Sequence, residues 1–185
     1  MEYTSQLSAG QRVRRKLLIT VAEWSVPGAG TSTVTHRTIL GKRTEDSSIE
    51  LNADIETTTD VLGITYTDVN KTEPQQDFDP HFVMGGEDLD TYLLDAVLNN
   101  DIDKYNNVFN IYIITAWIDD KTGSGTSESH KYKTIKHSGC SIIATNIGGD
   151  SYVQMNLEVH FSNDITSGYC TTLDATNNSW QFQSD

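Results

Sequence analysis

Val108 to Ile118 reads VFNIYIITAWI, and its apolar side chains fall on both faces of an extended chain. Successive residues of a strand point to opposite sides, so a run that is apolar on both sides marks a strand covered above and below. Working outward from it, Leu17 to Trp24 (LLITVAEW) reads as a strand with Leu17, Ile19 and Val21 opposing Leu18, Ala22 and Trp24. It stops at Pro27-Gly28-Ala29-Gly30. Val34 to Leu40 is β-branched and closes at Gly41. On the other side, Lys121 to Ser129 (KTGSGTSES) reads as a hairpin tip, followed by strands over Tyr132 to Ile147 and Tyr152 to Phe161 around Gly148-Gly149-Asp150. In the last of these, Val153, Met155, Leu157, Val159 and Phe161 share one face.

One helix is expected, from about Asp88 to Leu98. Leu89, Tyr92, Leu93, Ala96 and Val97 group on one side, and Glu87, Asp88 and Asp90 crowd the N-terminal turn, where carboxylates suit the helix dipole. Strands outnumber helices heavily, so the expected fold is mainly β, a sandwich or partly closed barrel with one flanking α-helix. At 185 residues the chain is most simply one domain, residues 1–185, with a basic N-terminal segment over about 1–16 and a long loop over about 60–81. That loop contains Gly63, Pro74 and Pro80, and excursions of this length inside a compact domain are usually functional.

Charge is distributed unevenly. Residues 44 to 120 hold 18 of the 26 Asp and Glu, against Lys71 and Lys104 alone, while residues 1 to 43 are net basic. Within the acidic third, Ser48 to Thr58 (SIELNADIETT) alternates: Ile49, Leu51, Ala53 and Ile55 on one face, Ser48, Glu50, Asn52, Asp54 and Glu56 on the other. The pattern fits an ordinary half-exposed strand with a solvated face, and it also fits a surface that repels polyanions. Phosphate contacts require Lys and Arg, so this balance argues against sequence-reading of nucleic acid. No stretch has the apolar length of a membrane span, and the residues after Lys16 lack a signal-peptide pattern, so synthesis and retention in a cytoplasm are expected.

Catalytic motifs are lacking. The five histidines have no metal-ligand spacing, and His81, in FDPHF, reads as a turn residue. His137 and Cys140 are three apart, which on a strand sends them to opposite faces. Asp77, Asp79, Glu87, Asp88 and Asp90 cluster without the twelve-residue loop of a strong calcium motif. Cys140 and Cys170 are expected as reduced buried thiols. No cofactor, metal or catalytic residue is assigned; the chain reads as an assembler or binder.

Taken in order, DIETTTDVLGITYTDVNKTEPQQDFDP, GGEDLDTYLLDAVLNND and YNNVFNIYIITAWI resemble the major tail tube proteins of tailed bacteriophages and phage tail-like particles, over roughly residues 35 to 120. The resemblance implies a structural subunit of the virion tail, made in the host bacterial cytoplasm. Six copies would close a ring, and rings would stack into a hollow tube, with the tape-measure protein and tail terminator as further partners. DNA would pass through the lumen without specific binding. A bore for DNA must not hold DNA, since each neutralised phosphate adds affinity. On this reading Glu50, Asp54 and Glu56 line the lumen, while the apolar face of their strand packs on the core. Subunit and ring contacts fall to Arg12, Arg14, Arg15 and Lys16 and to Asp68, Lys71, Glu73 and Gln75. The basic segment Arg12 to Lys16 and the stretch after Asn163 match no motif of that family. The alternative is a carbohydrate- or cell-surface-binding β-sandwich using Trp24, Trp117 and Trp180 as stacking platforms, with Trp117 placed in the core by its strand.

Overall fold

The doubly apolar run lies in the middle of the sheet. The computed structural model describes residues 11–28, 31–42, 44–119, 130–174 and 179–185; the expected hairpin tip at Lys121 to Ser129 lies outside them, as do residues 1–10 of the basic segment. Strands β1 (Leu18–Pro27), β2 (Thr33–Ile39), β3 (Thr44–Glu50), β6 (Gln75–Phe82), β7 (Phe109–Asp119), β8 (Tyr132–Gly148) and β9 (Gln154–His160) join in the order β2-β1-β7-β8-β9-β6-β3. Two further strands, β10 (Ile165–Asp174) and β11 (Ser179–Ser184), continue from β8, and all these pairings are antiparallel. β4 (Ala53–Thr59) and β5 (Thr65–Thr72) pair only with each other.

β8 belongs to two layers. Tyr132 to His137 pairs with β10 on one edge and β7 on the other, whereas Ser141 to Gly148 pairs with β9. The change of partner falls at a bulge around Gly139, whose φ of 71° suits a residue without Cβ. The sheet folds on itself there as a β-sandwich. Its inner core takes Ala22 and Trp24 from β1, Phe109 and Ile111 from β7, Phe78 from β6, and Met155, Leu157 and Val159 from β9. The helix α1 (Asp88–Asn99) closes one side of this core with Leu89 and Leu93.

The opposite faces of β1 and β7 are buried too. Leu17, Ile19, Val21, Tyr112, Ile114 and Ala116 form a second core with Cys170 of β10 and Trp180 of β11. The C-terminal stretch that matched no motif is thus the cover that β7's second face demands. Both cysteines are buried free thiols, and burial raises the Cys140 thiol pKa.

Two expectations are corrected. The alternation over Ser48 to Thr58 is not one strand: β3 ends at Glu50, the chain turns through Leu51 and Asn52 (φ 43°), and β4 leaves the sheet. Only Ile49 packs against the core, while Leu51 and Ile55 are exposed, so the apolar face of β4 does not pack on the body. The loop expected over about 60–81 is largely strand, β5 and then β6, with Pro80 at the irregularity between Phe78 and His81. Proline is tolerated at such a bulge because the ladder already lacks a bond there.

The two layers are linked by buried polar side chains. Thr20 of β1 donates its hydroxyl to Gln76 Oε1 of β6 at 2.8 Å, and Gln76 Nε2 donates to Ser47 Oγ of β3 at 2.9 Å. Thr20→Val strands a buried amide oxygen and should cost about 1–3 kcal/mol in urea unfolding. The double variant with Gln76→Met should cost less than the two single changes added together. A two-stranded ribbon outside the sheet is marginal by itself. Backbone amides of β4 and β5 should therefore exchange with opening free energies near zero in the monomer, while those of β7 and β8 approach the global value.

Candidate assembly surface

β4 and β5 form an arm that leaves the body where β3 and β6 end. Every residue of both strands is exposed. A bulge between Asp54 and Ile55 sets the register, so that Ile55 faces Val69, Thr57 faces Thr67, Glu56 faces Asp68, and Asp54 faces Lys71. Directly opposed residues share a face, which gives the ribbon two unlike sides. One side carries Ile55 and Val69 with threonines; the other carries Asp54, Glu56 and Asp68 with Tyr66. Lys71 pairs with Glu73, which raises the lysine pKa and lowers the carboxyl's. At the base, Glu73 N–H donates to the Leu51 carbonyl at 3.1 Å and Asn52 Nδ2 to the Glu73 carbonyl at 3.3 Å.

The arm's tip is built rather than loose. Asp60 Oδ1 accepts from the backbone N–H of Leu62 at 2.8 Å and of Ile64 at 2.9 Å, and Tyr66 OH donates to Oδ2 at 3.3 Å. Gly63 takes φ 78° to close the turn. This frame presents Val61 fully exposed and Leu62 at 80% exposure. Sequence reasoning missed both residues; the available signal was a pair of large apolar side chains placed beside Gly63, where turns ordinarily carry polar ones.

The remaining expected contact residues lie on the body. Arg12, Arg14, Arg15 and Lys16 are all exposed. Arg15 is held within its own chain, donating to Ser47 O, Ser47 Oγ and Leu18 O at 3.2, 3.1 and 2.7 Å. Gln75 is half-buried in β6 and donates to Asp77 Oδ1 at 2.8 Å. Of the expected lumen set, Glu50 closes β3 at the arm's base, whereas Asp54 and Glu56 lie on the arm itself.

Two adjoining grooves open near the start of β3. The first, of about 390 Å³, is walled by Ile39, Leu40, Phe82, Met84 and Leu89, with Lys42 at its rim. His81 and Asp90 also line it, 2.7 Å apart through Nε2 and Oδ1; Asp90 Oδ2 accepts the Met84 N–H at 2.7 Å. His81 is therefore a buried strand residue and not the expected turn residue. It fastens the helix to β6, and its Nδ1 has no hydrogen-bond partner among the described residues. The second groove, of about 440 Å³, shares Ile39, Leu40 and Lys42 and adds Arg15 and Lys16.

The other expected chemistry is accounted for by local bonding. Asp88 meets His36 at 2.8 Å, and that imidazole stacks on Trp24. His137 Nδ1–H donates to the Ser162 carbonyl at 2.9 Å, while Cys140 Sγ accepts the Ser162 N–H at 3.4 Å, so the two side chains do not form a nucleophilic pair. Trp24 is 2% exposed and Trp180 4%, too deeply covered to stack on a sugar, which corrects the expectation that they form an exposed platform. No helix among the described residues is long and apolar enough to cross a membrane.

No family model and no curated protein matches the chain. Among solved structures, a chain in the six-fold symmetrised cryo-EM structure of the anti-feeding prophage baseplate is similar at a TM-score of 0.46 and 14% identity, over 87% of this chain and 97% of that one.

Proposed function

We propose that this chain is a structural subunit of a phage-type tail tube, in which copies associate through the β4–β5 arm into rings of six that stack around a lumen. The observation that carries the reading is the arm itself: a ribbon with no contact to a core, an ordered tip, and large apolar side chains in water. Such a segment gains stability only when something outside its own fold covers it. The arm's two sides divide the work. Ile55 and Val69 meet protein, and Asp54, Glu56 and Asp68 with Glu50 face the bore.

An acidic bore leaves duplex DNA hydrated and mobile, because no phosphate is neutralised and no counterions are released. The repulsion reaches about 8 Å from the wall at physiological salt, so it acts as a lining and not as a field filling the channel. Tape-measure and terminator proteins would meet the same inner wall and the tube's end. In this reading no residue acts as a catalyst and no cofactor is used.

Replacing residues 52–73 by Asn-Gly would join β3 to β6 through a two-residue hairpin turn and leave the body's core untouched. The expected outcome is a folded monomer with an unchanged circular dichroism spectrum and no rings or tubes in negative-stain micrographs; tubes from this variant would remove the arm from assembly. Changing Glu50, Asp54 and Glu56 together to Lys should leave tubes intact but slow or block genome release in an ejection assay. Release at the parental rate would take these three residues off the bore.

A further inference from the structure

The arm and the first groove lie at opposite ends of one ladder. β3 and β6 pair from Thr44↔His81 at one end to Glu50↔Gln75 at the other. The arm departs from the second end, and the groove opens at the first, beside Lys42 and His81. Six residue steps at about 3.3 Å separate these ends by ~20 Å. Every residue of β4 and β5 is exposed, so the arm does not lie back along its own sheet. A groove and a projecting tip on opposite ends of one subunit are positioned to meet between copies.

Their chemistry matches. The groove's walls are aliphatic and aromatic, and the tip offers Val61 and Leu62. At about 30 Å³ per carbon, a liquid water's share of volume, their seven side-chain carbons take up roughly half of the 390 Å³ space and leave room for the turn's backbone. Beside this apolar contact the arm is net acidic and the adjoining groove is basic. Residues 51–74 carry Asp54, Glu56, Asp60, Asp68 and Glu73 against Lys71 alone. The adjoining groove carries Lys16, Lys42 and Arg15, the last held by Ser47 and Leu18. Glu87 and Asp90 also border the apolar groove, Asp90 engaged by His81.

We infer that the apolar groove between the β2–β3 turn and the start of α1 seats the Val61–Leu62 tip of a second copy of this chain, with the basic adjoining groove beside that copy's tip carboxylate, Asp60. The inference rests on the proposed self-assembly and specifies its contact. Because the joined surfaces differ, the contact is head-to-tail, and it closes into a ring or continues as a filament according to the rotation between copies.

The test uses the full chain. Leu62→Glu alters an exposed tip residue; it should leave the fold intact and raise the concentration needed for assembly at least ~tenfold in light scattering. In parallel, Leu62→Cys copies are mixed with Met84→Cys copies under mild oxidation; Cys140 and Cys170 are buried and do not compete. Disulfide-linked pairs should form severalfold faster than in a mixture of Leu62→Cys with Ile165→Cys, on β10 in the other layer. Loss of assembly in Leu62→Glu together with cross-linking no faster than this control overturns the groove while leaving arm-driven assembly standing. Unchanged assembly in Leu62→Glu overturns the tip's role. A parental chain that stays monomeric at the highest soluble concentration overturns the assembly reading itself.

Discussion

The backbone hydrogen bonding of β8 holds the architecture together. Its first half is a middle strand between β7 and β10, its second half belongs with β9, and the bend at Gly139 turns one continuous ladder into two facing layers. Both cores depend on that bend. The inner one exists because β9 and β6 are brought over β1 and β7; the outer one exists because β10 and β11 are carried around to the other face. The Thr20–Gln76–Ser47 chain then fixes the spacing of the layers with directional bonds, which apolar contacts alone do not supply.

What could be read from the sequence was what local periodicity encodes. β9 and the helix were legible because their side chains repeat at two or at 3.6 residues, β7 because it is apolar on both faces, and β1, β2 and β8 because apolar or β-branched runs end at glycine or proline. The alternation from Ser48 to Thr58 was real, yet it concealed a change of partner: β3 pairs with the distant β6, whereas β4 pairs with its sequence neighbour β5. β6 was hidden by Pro74 and Pro80, which ordinarily break a strand and here stand before it and at its bulge. β10 and β11 mix polar and apolar residues because one face covers Tyr112 while the other meets water.

The candidate site was legible in charge and obscure in shape. Clustering of carboxylates marks the third of the chain that contains the projecting arm, but periodicity assigned the apolar side of Ile55 to a core that it does not enter. Asp90 was read as a helix-dipole acid. It shares the buried face with Leu93 and Ala96, three and six positions on, and that spacing was the available sign that it needed a partner such as His81.

The arm contributes no side chain to either core, so its composition and the body's stability are uncoupled. If copies assemble through it as proposed, most substitutions on the ribbon would leave the sandwich as it was and change only what the ribbon meets. Related chains could therefore share one architecture and still sort by kind in a mixed pool, the projecting ribbon serving as an address that diverges without endangering the fold that displays it.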